Sequence, residues 1–288
     1  RGGVMLTLDK SAGMMVGLAV GDALGAPLEF MDAREPDDYI TKYVTGGHHD
    51  MSIGEWTDDT AMALAMADSL STNLAEFNPE DMMHNWYNWY MKGEFIPRGK
   101  CFDIGTTTQD AIEKWINNKS GYSYNSVSFD DASGNGGLMR LAPAVIASAT
   151  PERAMELAIA TTILTHGSPK CIEYSRVFAH QLWHGDALQR YQSYNLPLNT
   201  DRKDVMSGGY VVETYQCAMW AYQTTNNFAD CVIKAVNRGH DSDRCGAVAG
   251  MIAGAHYGLE AIPSHFKDDL MWYDKLVSQA FRLYNMRR

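Results

Sequence analysis

The chain is short of basic residues: 24 lysines and arginines face 35 acids, for a formal net charge of -11 at pH 7. That balance argues against a general nucleic-acid binder and a polybasic membrane binder, both of which need a positive surface. It leaves room for an anionic ligand, because backbone N–H groups bind phosphate whatever the overall charge. Cysteine is sparse as well. Cys101, Cys171, Cys217, Cys231 and Cys245 are scattered, with no C-x-x-C spacing. An odd, dispersed set argues against a disulfide framework or a zinc knuckle, and for reduced thiols in a cytoplasmic setting. The apolar run "GMMVGLAV" reads as too short to span a bilayer, and Asp22 follows it closely. It has no basic segment directly before it and no convincing cleavage site, so neither a membrane span nor a signal peptide is expected. Alternating strand patterns and low-complexity linkers are missing too.

What is present is helical spacing. "SAGMMVGLAVGDALG", "TDDTAMALAMADSL", "PEDMMHNWYNWYM", "PERAMELAIATTILTH", "VVETYQCAMWAYQ", "NFADCVIKAVNRG" and "CGAVAGMIAGAHYG" all fit a period of 3.6 better than 2. A last helix is expected from about Pro263. Ser11, Asn78-Pro79, Thr150-Pro151 and the Thr57/Asp58/Asp59 group serve as start signals. The expected fold is a compact all-α bundle, one domain over 5–288, monomeric, with the four residues before Met5 left aside. Three long polar stretches, 31–56, 120–137 and 185–210, are the expected functional loops.

Two helices carry glycine at every fourth position: Gly17, Gly21 and Gly25 in one, Gly246, Gly250 and Gly254 in the other. Each glycine costs about 1 kcal/mol against alanine in a helix interior, so a stripe of them points to close backbone approach. Antiparallel packing of the two would bring Glu29, just past the first, near Asp241 and Asp243, at the start of the second.

Both acid groups sit where helices begin. Thr57, Asp58 and Asp59, like Asp241 and Asp243, can be read as caps that complement the helix dipole. They can equally be read as oxygen ligands for a hard divalent cation. Two such clusters far apart in sequence make a bridged metal site plausible, since their carboxylates repel one another without a cation. Glu29 is either an ordinary glutamate beside Pro27 or a carboxylate at a reaction centre. Asp22 reads as structural, and Asp103 as the cap of a following helix or a substrate contact. "SGNGGLMR" at 133–140 is no P-loop; it reads as a plain loop-to-helix turn, or as an anion nest formed by its N–H groups. His166 reads as a helix C-terminal histidine favoured by the dipole. Trp86, Tyr87, Trp89 and Tyr90 read as packing.

Taken in order, "GLAVGDALGAPLEF", "WTDDTAMALA", "GNGGLMRLAP", "THGSP" and "NRGHDSDRCGAVAGMIAGAHYG" resemble the ADP-ribosylglycohydrolase family, in particular its bacterial branch. The resemblance covers about residues 11–260. It implies an orthogonal helical bundle with a two-metal Mg²⁺ or Mn²⁺ centre that removes ADP-ribose from modified protein, from arginine above all. Carried over by motif position, Thr57, Asp58, Asp59, Asp241 and Asp243 match metal ligands. Glu29 and Asp103 match reaction-centre acids. Asn135, Gly136, Met139, His166, Gly208, Gly209 and Tyr210 match pocket positions. The implied partner is an ADP-ribosylated protein substrate. The alternative is a non-catalytic or dual-function binding or immunity protein that sequesters ADP-ribose or blocks an ADP-ribosyltransferase toxin.

One position departs from the family's Asp-x-Asp-Thr pattern: here the sequence is Asp241-Ser242-Asp243-Arg244. Arginine has five donors and no acceptor, so it cannot replace a hydroxyl ligand, and its fixed charge competes with a divalent ion. One tightly bound metal is therefore expected, with Arg244 either filling the second site or turned outward.

Overall fold

The computed structural model describes residues 6–118 and 133–288. Most of the loop expected at 120–137 lies outside the described residues. Those described form α-helices joined by turns and short 3₁₀ segments, with no strand and only two isolated bridges, Gly46 to Met51 and Gly134 to Tyr210.

The α-helices are α1 (Leu8–Gly25), α2 (Asp58–Thr72), α3 (Pro79–Lys92), α4 (Thr106–Asn118), α5 (Ala142–Ile146) and α6 (Pro151–Thr162). They continue with α7 (Pro169–His184), α8 (Val211–Gln223), α9 (Phe228–Val236), α10 (Ser242–Tyr257), α11 (Ser264–Asp268) and α12 (Tyr273–Asn285). The all-α expectation holds. Asn78 and Thr150 cap α3 and α6 through their side chains. Ser11 does not cap α1: the helix starts earlier, with the Thr7 hydroxyl accepting from Lys10 N–H at 3.1 Å, and Ser11 is buried. α5 follows the turn at 133–140, and α7 has no counterpart among the helical segments expected from spacing. The segment after Pro263 is two helices, broken at Trp272, whose φ is +59°.

α1 is the axis of the molecule. Every residue from Ser11 to Gly25 is buried, because α10, α12, α2, α9 and α5 pack around it. A helix enclosed on all sides must be apolar all round. That explains a length and hydropathy over Leu8–Leu28 sufficient to cross a membrane, longer than the sequence run suggested, in a segment buried from Ser11 onward.

The glycine stripes of α1 and α10 face each other antiparallel. A Cβ on Gly17 would come within 2.1 Å of Gly250 O, and one on Gly21 within 1.8 Å of Gly246 O. Gly13 stands in the same relation to Gly254, at 2.5 Å. Only hydrogen fits between these backbones. The contact fixes the register and brings the C-terminal end of α1 to the N-terminal end of α10. Ser242 ties the seam by donating to Gly25 O at 2.7 Å.

α3 packs on α2 with Trp86 and Trp89 fully buried and Tyr87 and Tyr90 half-buried, a packing role as expected. Buried Arg140 lies over the Trp86 ring at 4.2 Å and donates to Thr161 O and Thr165 Oγ1.

A carboxylate-floored cleft as candidate active site

α1, α2 and α10 present acids at one end of the bundle, beneath a cleft of about 600 Å³. Glu29 follows α1 after a 3₁₀ turn, Asp58 and Asp59 open α2, and Asp241 and Asp243 open α10. Glu29, Asp58, Asp103, Asp241 and Arg244 line the cleft, while Thr57, Asp59 and Asp243 lie fully buried under it.

The cap reading fails at both helix starts. Thr57 and Asp241 occupy the N-cap positions of α2 and α10, yet neither side chain accepts a helix N–H. Asp22, from the middle of α1, does that work for α2. It accepts from the N–H groups of Thr57 and Thr60, and from their hydroxyls at 2.8 Å. The Thr57 hydroxyl is thereby turned into the acid cluster. Its oxygen stands 2.8 Å from Asp22, 3.2 Å from Asp58, 2.9 Å from Asp59 and 3.0 Å from Asp243. One hydroxyl has one proton, so the remaining approaches require protons or a cation between the oxygens.

Arg244 supplies a cation next to this set. Nη1 donates to Glu29 Oε2 at 3.0 Å and Asp243 Oδ2 at 2.7 Å, and Nη2 donates to Asp58 Oδ2 at 2.8 Å. Asp103 and Asp241 are each 3.5 Å from Nη1. Of the two expectations for Arg244, the inward one is observed. Burial opposes the guanidinium charge, but Asp243, Asp58, Asp241 and Asp59 outweigh it and hold the proton more firmly than water would.

The acids show the same contest from the other side. Burial pushes Glu29 up to about 11, with Asp243 adding to the rise and Arg244 opposing it. Burial raises Asp241 to about 7, against Arg244, and raises Asp22 to about 7, with Asp243 reinforcing it. Asp58 and Asp59 are raised well above the usual range, again by burial first. Positive charge is what this floor lacks. Buried Asp59 Oδ1 and Asp243 Oδ1 have no hydrogen-bond partner. Asp22, Asp59 and Asp243 bring oxygens within 4.8 Å of one another, and so do Glu29, Asp241 and Asp243. An all-oxygen set of carboxylates and a hydroxyl suits a hard divalent ion.

Above the floor, two loops form one wall. Asn135 N–H donates to Gly209 O at 3.1 Å, and Asn135 Nδ2 donates to Asp241 Oδ2 at 2.6 Å and Thr214 Oγ1 at 2.9 Å. Gly136, Met139, His166, Gly208 and Gly209 also line the cleft; exposed Tyr210 does not. His166 is no helix C-terminal residue. α6 ends at Thr162, and His166 is buried beneath Gly136, where a Cβ would lie 2.4 Å from its ring. Burial and then Arg140 lower its pKa to about 3, so it is neutral and indifferent to a helix dipole.

The sequence reading passed over His49. Its Nε2, from loop 31–56, stands 3.2 Å from Glu29 Oε1 and 3.6 Å from Asp103 Oδ2, close to both acids but hydrogen-bonded to neither. Nothing in its spacing marked it. Phe30 and His240 were passed over too. Both line the cleft with positive φ, +67° and +55°, and Phe30 N–H donates to His240 O at 2.8 Å. Two strained residues held against each other flank Glu29 and Asp241, as is common at functional sites.

Comparison with known proteins agrees with this geometry. The family model described as ADP-ribosylglycohydrolase matches residues 5–288. The chain is 32% identical to ADP-ribosylarginine hydrolase Tri1 of Serratia proteamaculans (strain 568), over 97% of this chain and 80% of that protein. It is also 32% identical to the ADP-ribosyl-[dinitrogen reductase] glycohydrolase of Rhodospirillum rubrum, over 95% and 92%. A solved structure titled "ADP-ribosylglycohydrolase-related protein complex" superimposes with a TM-score of 0.83 at 31% identity, covering 98% of this chain and 99% of that one. With a family match along its whole described length and an acid-floored cleft at the helix ends, the chain belongs to the ADP-ribosylglycohydrolase family, whose members are glycosidic-bond hydrolases.

Proposed function

We propose that the protein is a metal-dependent ADP-ribosyl-acceptor hydrolase that releases ADP-ribose from modified arginine by cleaving the bond at C1″ of the distal ribose. The observation that carries this is the meeting of Glu29, Asp58, Asp103, Asp241 and Asp243 around one cleft of small-molecule size. Relatives whose names specify ADP-ribosylarginine and ADP-ribosylated dinitrogen reductase support the substrate class.

In this reading the ADP-ribose lies along the wall of Asn135, Gly136, Met139, Gly208 and Gly209. Backbone N–H groups of Gly136, Gly208 and Gly209 take the diphosphate, which suits a protein of net negative charge. Thr57, Asp58, Asp59 and Asp243 hold Mg²⁺ or Mn²⁺. The bound ion supplies Lewis acidity that lowers the pKa of water and anchors ribose hydroxyls. Glu29 and Asp103 are the carboxyl groups available to move the proton between water and the leaving nitrogen. His49 stands between the two. Cys101, Cys217, Cys231 and Cys245 stand as free thiols, which is compatible with a reducing compartment and supports a cytoplasmic place of action.

The test is release of ADP-ribose from an arginine-modified target protein with Mg²⁺ or Mn²⁺ and after chelation. Chelation is expected to abolish release. Glu29→Ala and Asp58→Ala are each expected to slow it by about 100-fold or more, the usual weight of a proton-transfer or charge-stabilising group. Wild-type rates in both variants would sink the proposal. The second reading, a binder that blocks an ADP-ribosyltransferase toxin, draws on Arg244 already neutralising part of the floor. It predicts protection against such a toxin that survives both substitutions, with no release at all.

A further inference from the structure

We propose that Arg244 is a built-in cation that replaces one of two metal ions, so that the protein binds a single divalent ion per chain. The acid floor divides into two donor sets that share Asp243. One surrounds the Thr57 hydroxyl: Asp58 Oδ1, Asp59 Oδ2 and Asp243 Oδ2 lie at 2.9–3.2 Å from it. The other surrounds Nη1 of Arg244: Glu29 at 3.0 Å, Asp243 at 2.7 Å and Asp241 at 3.5 Å. The same trio, Glu29, Asp241 and Asp243, brings three carboxylate oxygens within 4.8 Å of one another, so without an arginine it would itself suit a cation.

A guanidinium nitrogen at hydrogen-bond distance from two of those carboxylates leaves no volume for an ion, and offers only N–H groups to it. The donor set around Thr57 differs. Arg244 comes no closer than 4.0 Å to Asp59, and both Asp59 Oδ1 and Asp243 Oδ1 are buried without a hydrogen-bond partner. Glu29 Oε1, in the other set, is also buried without a hydrogen bond but faces His49 Nε2 at 3.2 Å, so the oxygens with no donor opposite them point to a ligand on the Thr57 side. Arg244 is itself buried and pinned at both ends of its fork, Nη1 to Glu29 and Asp243, Nη2 to Asp58. Vacating the position would strand a desolvated charge together with three carboxylates, so an incoming second ion cannot displace it cheaply.

The test is the metal content of intact protein, independent of turnover. Protein saturated with Mn²⁺ and freed of excess by gel filtration is assayed for manganese and by electron paramagnetic resonance. Wild type is expected to hold one Mn²⁺ per chain with the six-line spectrum of an isolated ion. Arg244→Thr, which removes the charge and offers a hydroxyl oxygen, is expected to hold two, with exchange coupling broadening the signal. Two equivalents in wild type would overturn the proposal, as would a folded Arg244→Thr that stays at one. If that variant fails to fold, wild type is judged beside Glu29→Gln and Asp59→Asn. The first is expected to keep one equivalent and the second to lose it, and the reverse pattern places the ion on the wrong half and overturns the proposal. Because counting precedes any assay of hydrolysis, a failed count and a failed activity are separable outcomes.

Discussion

His166 is enclosed under the Gly136 loop, where burial and then the nearby Arg140 charge hold its pKa at about 3 instead of the usual 6.5. Above pH 6.5 the ring is neutral in both folded and unfolded chains, and contributes no pH dependence. Between 6.5 and 3 the unfolded chain takes up a proton that the folded one refuses, so stability falls as pH falls, by at most about 1.4 kcal/mol per pH unit from this group. His166→Gln is expected to flatten that slope in urea unfolding at pH 7, 6 and 5; an unchanged slope would show that the ring escapes protonation some other way. Residue identity alone did not reveal this. "LTHGSP" looks like a helix end, and the neighbours that decide the ring's state come from elsewhere in the chain. Thr57 misleads in the same way. A threonine before two aspartates is a local cap signal, but Asp22, which takes over the capping, lies 35 positions away. Local spacing carries no trace of that exchange, nor of His49 reaching Glu29 and Asp103. Arg244, by contrast, stood out from sequence because chemistry forbids it as an oxygen ligand, and only its direction awaited the structure.

Between elements, the α1–α10 seam is the strongest constraint. Backbone oxygen atoms occupy the space in which side chains at Gly17, Gly21 and Gly250 would begin. Gly21→Ala or Gly250→Ala therefore has to drive the helices apart. The expected loss is at least about 3 kcal/mol, the upper end for overpacking. Gly105→Ala meets only Thr108 Oγ1, at 4.0 Å, and is expected to leave the melting temperature within a few degrees. Equal melting temperatures for the seam and loop variants would contradict the packing argument. The seam was legible in advance because a glycine every fourth residue is costly in a helix and has few other uses. α7 was not legible: its buried positions include Ser175, His180 and Gln181, so polar residues break up the apolar stripe. Gln181 is buried because Tyr215 donates to it at 2.9 Å, a partner on another helix.

Across the whole molecule, α1 touches helices from both halves of the chain, and the C-terminal Arg288 exchanges backbone hydrogen bonds with Ala147 and Ala149. We propose that residues 5–288 behave as one cooperative domain. Calorimetry is expected to give a single transition whose calorimetric and van't Hoff enthalpies agree. Two separable transitions, or an enthalpy ratio well above one, would argue for independent parts. The all-α architecture was readable from periodicity because nearly every long segment keeps one repeat. The cleft was readable only as a set of motifs, since its residues come from helix ends and loops that the chain order keeps apart.

The position of Arg244 also bears on how the protein is assembled. Closing α10 against α1 forces carboxylates from opposite ends of the chain into one unhydrated space, a step that mutual repulsion resists. A metal ion relieves that repulsion only when the surroundings provide one. Arg244 belongs to α10 itself, so its charge reaches the seam at the same moment as Asp241 and Asp243. The contact of α10 with α1 thus carries its own counter-charge to the acids it gathers.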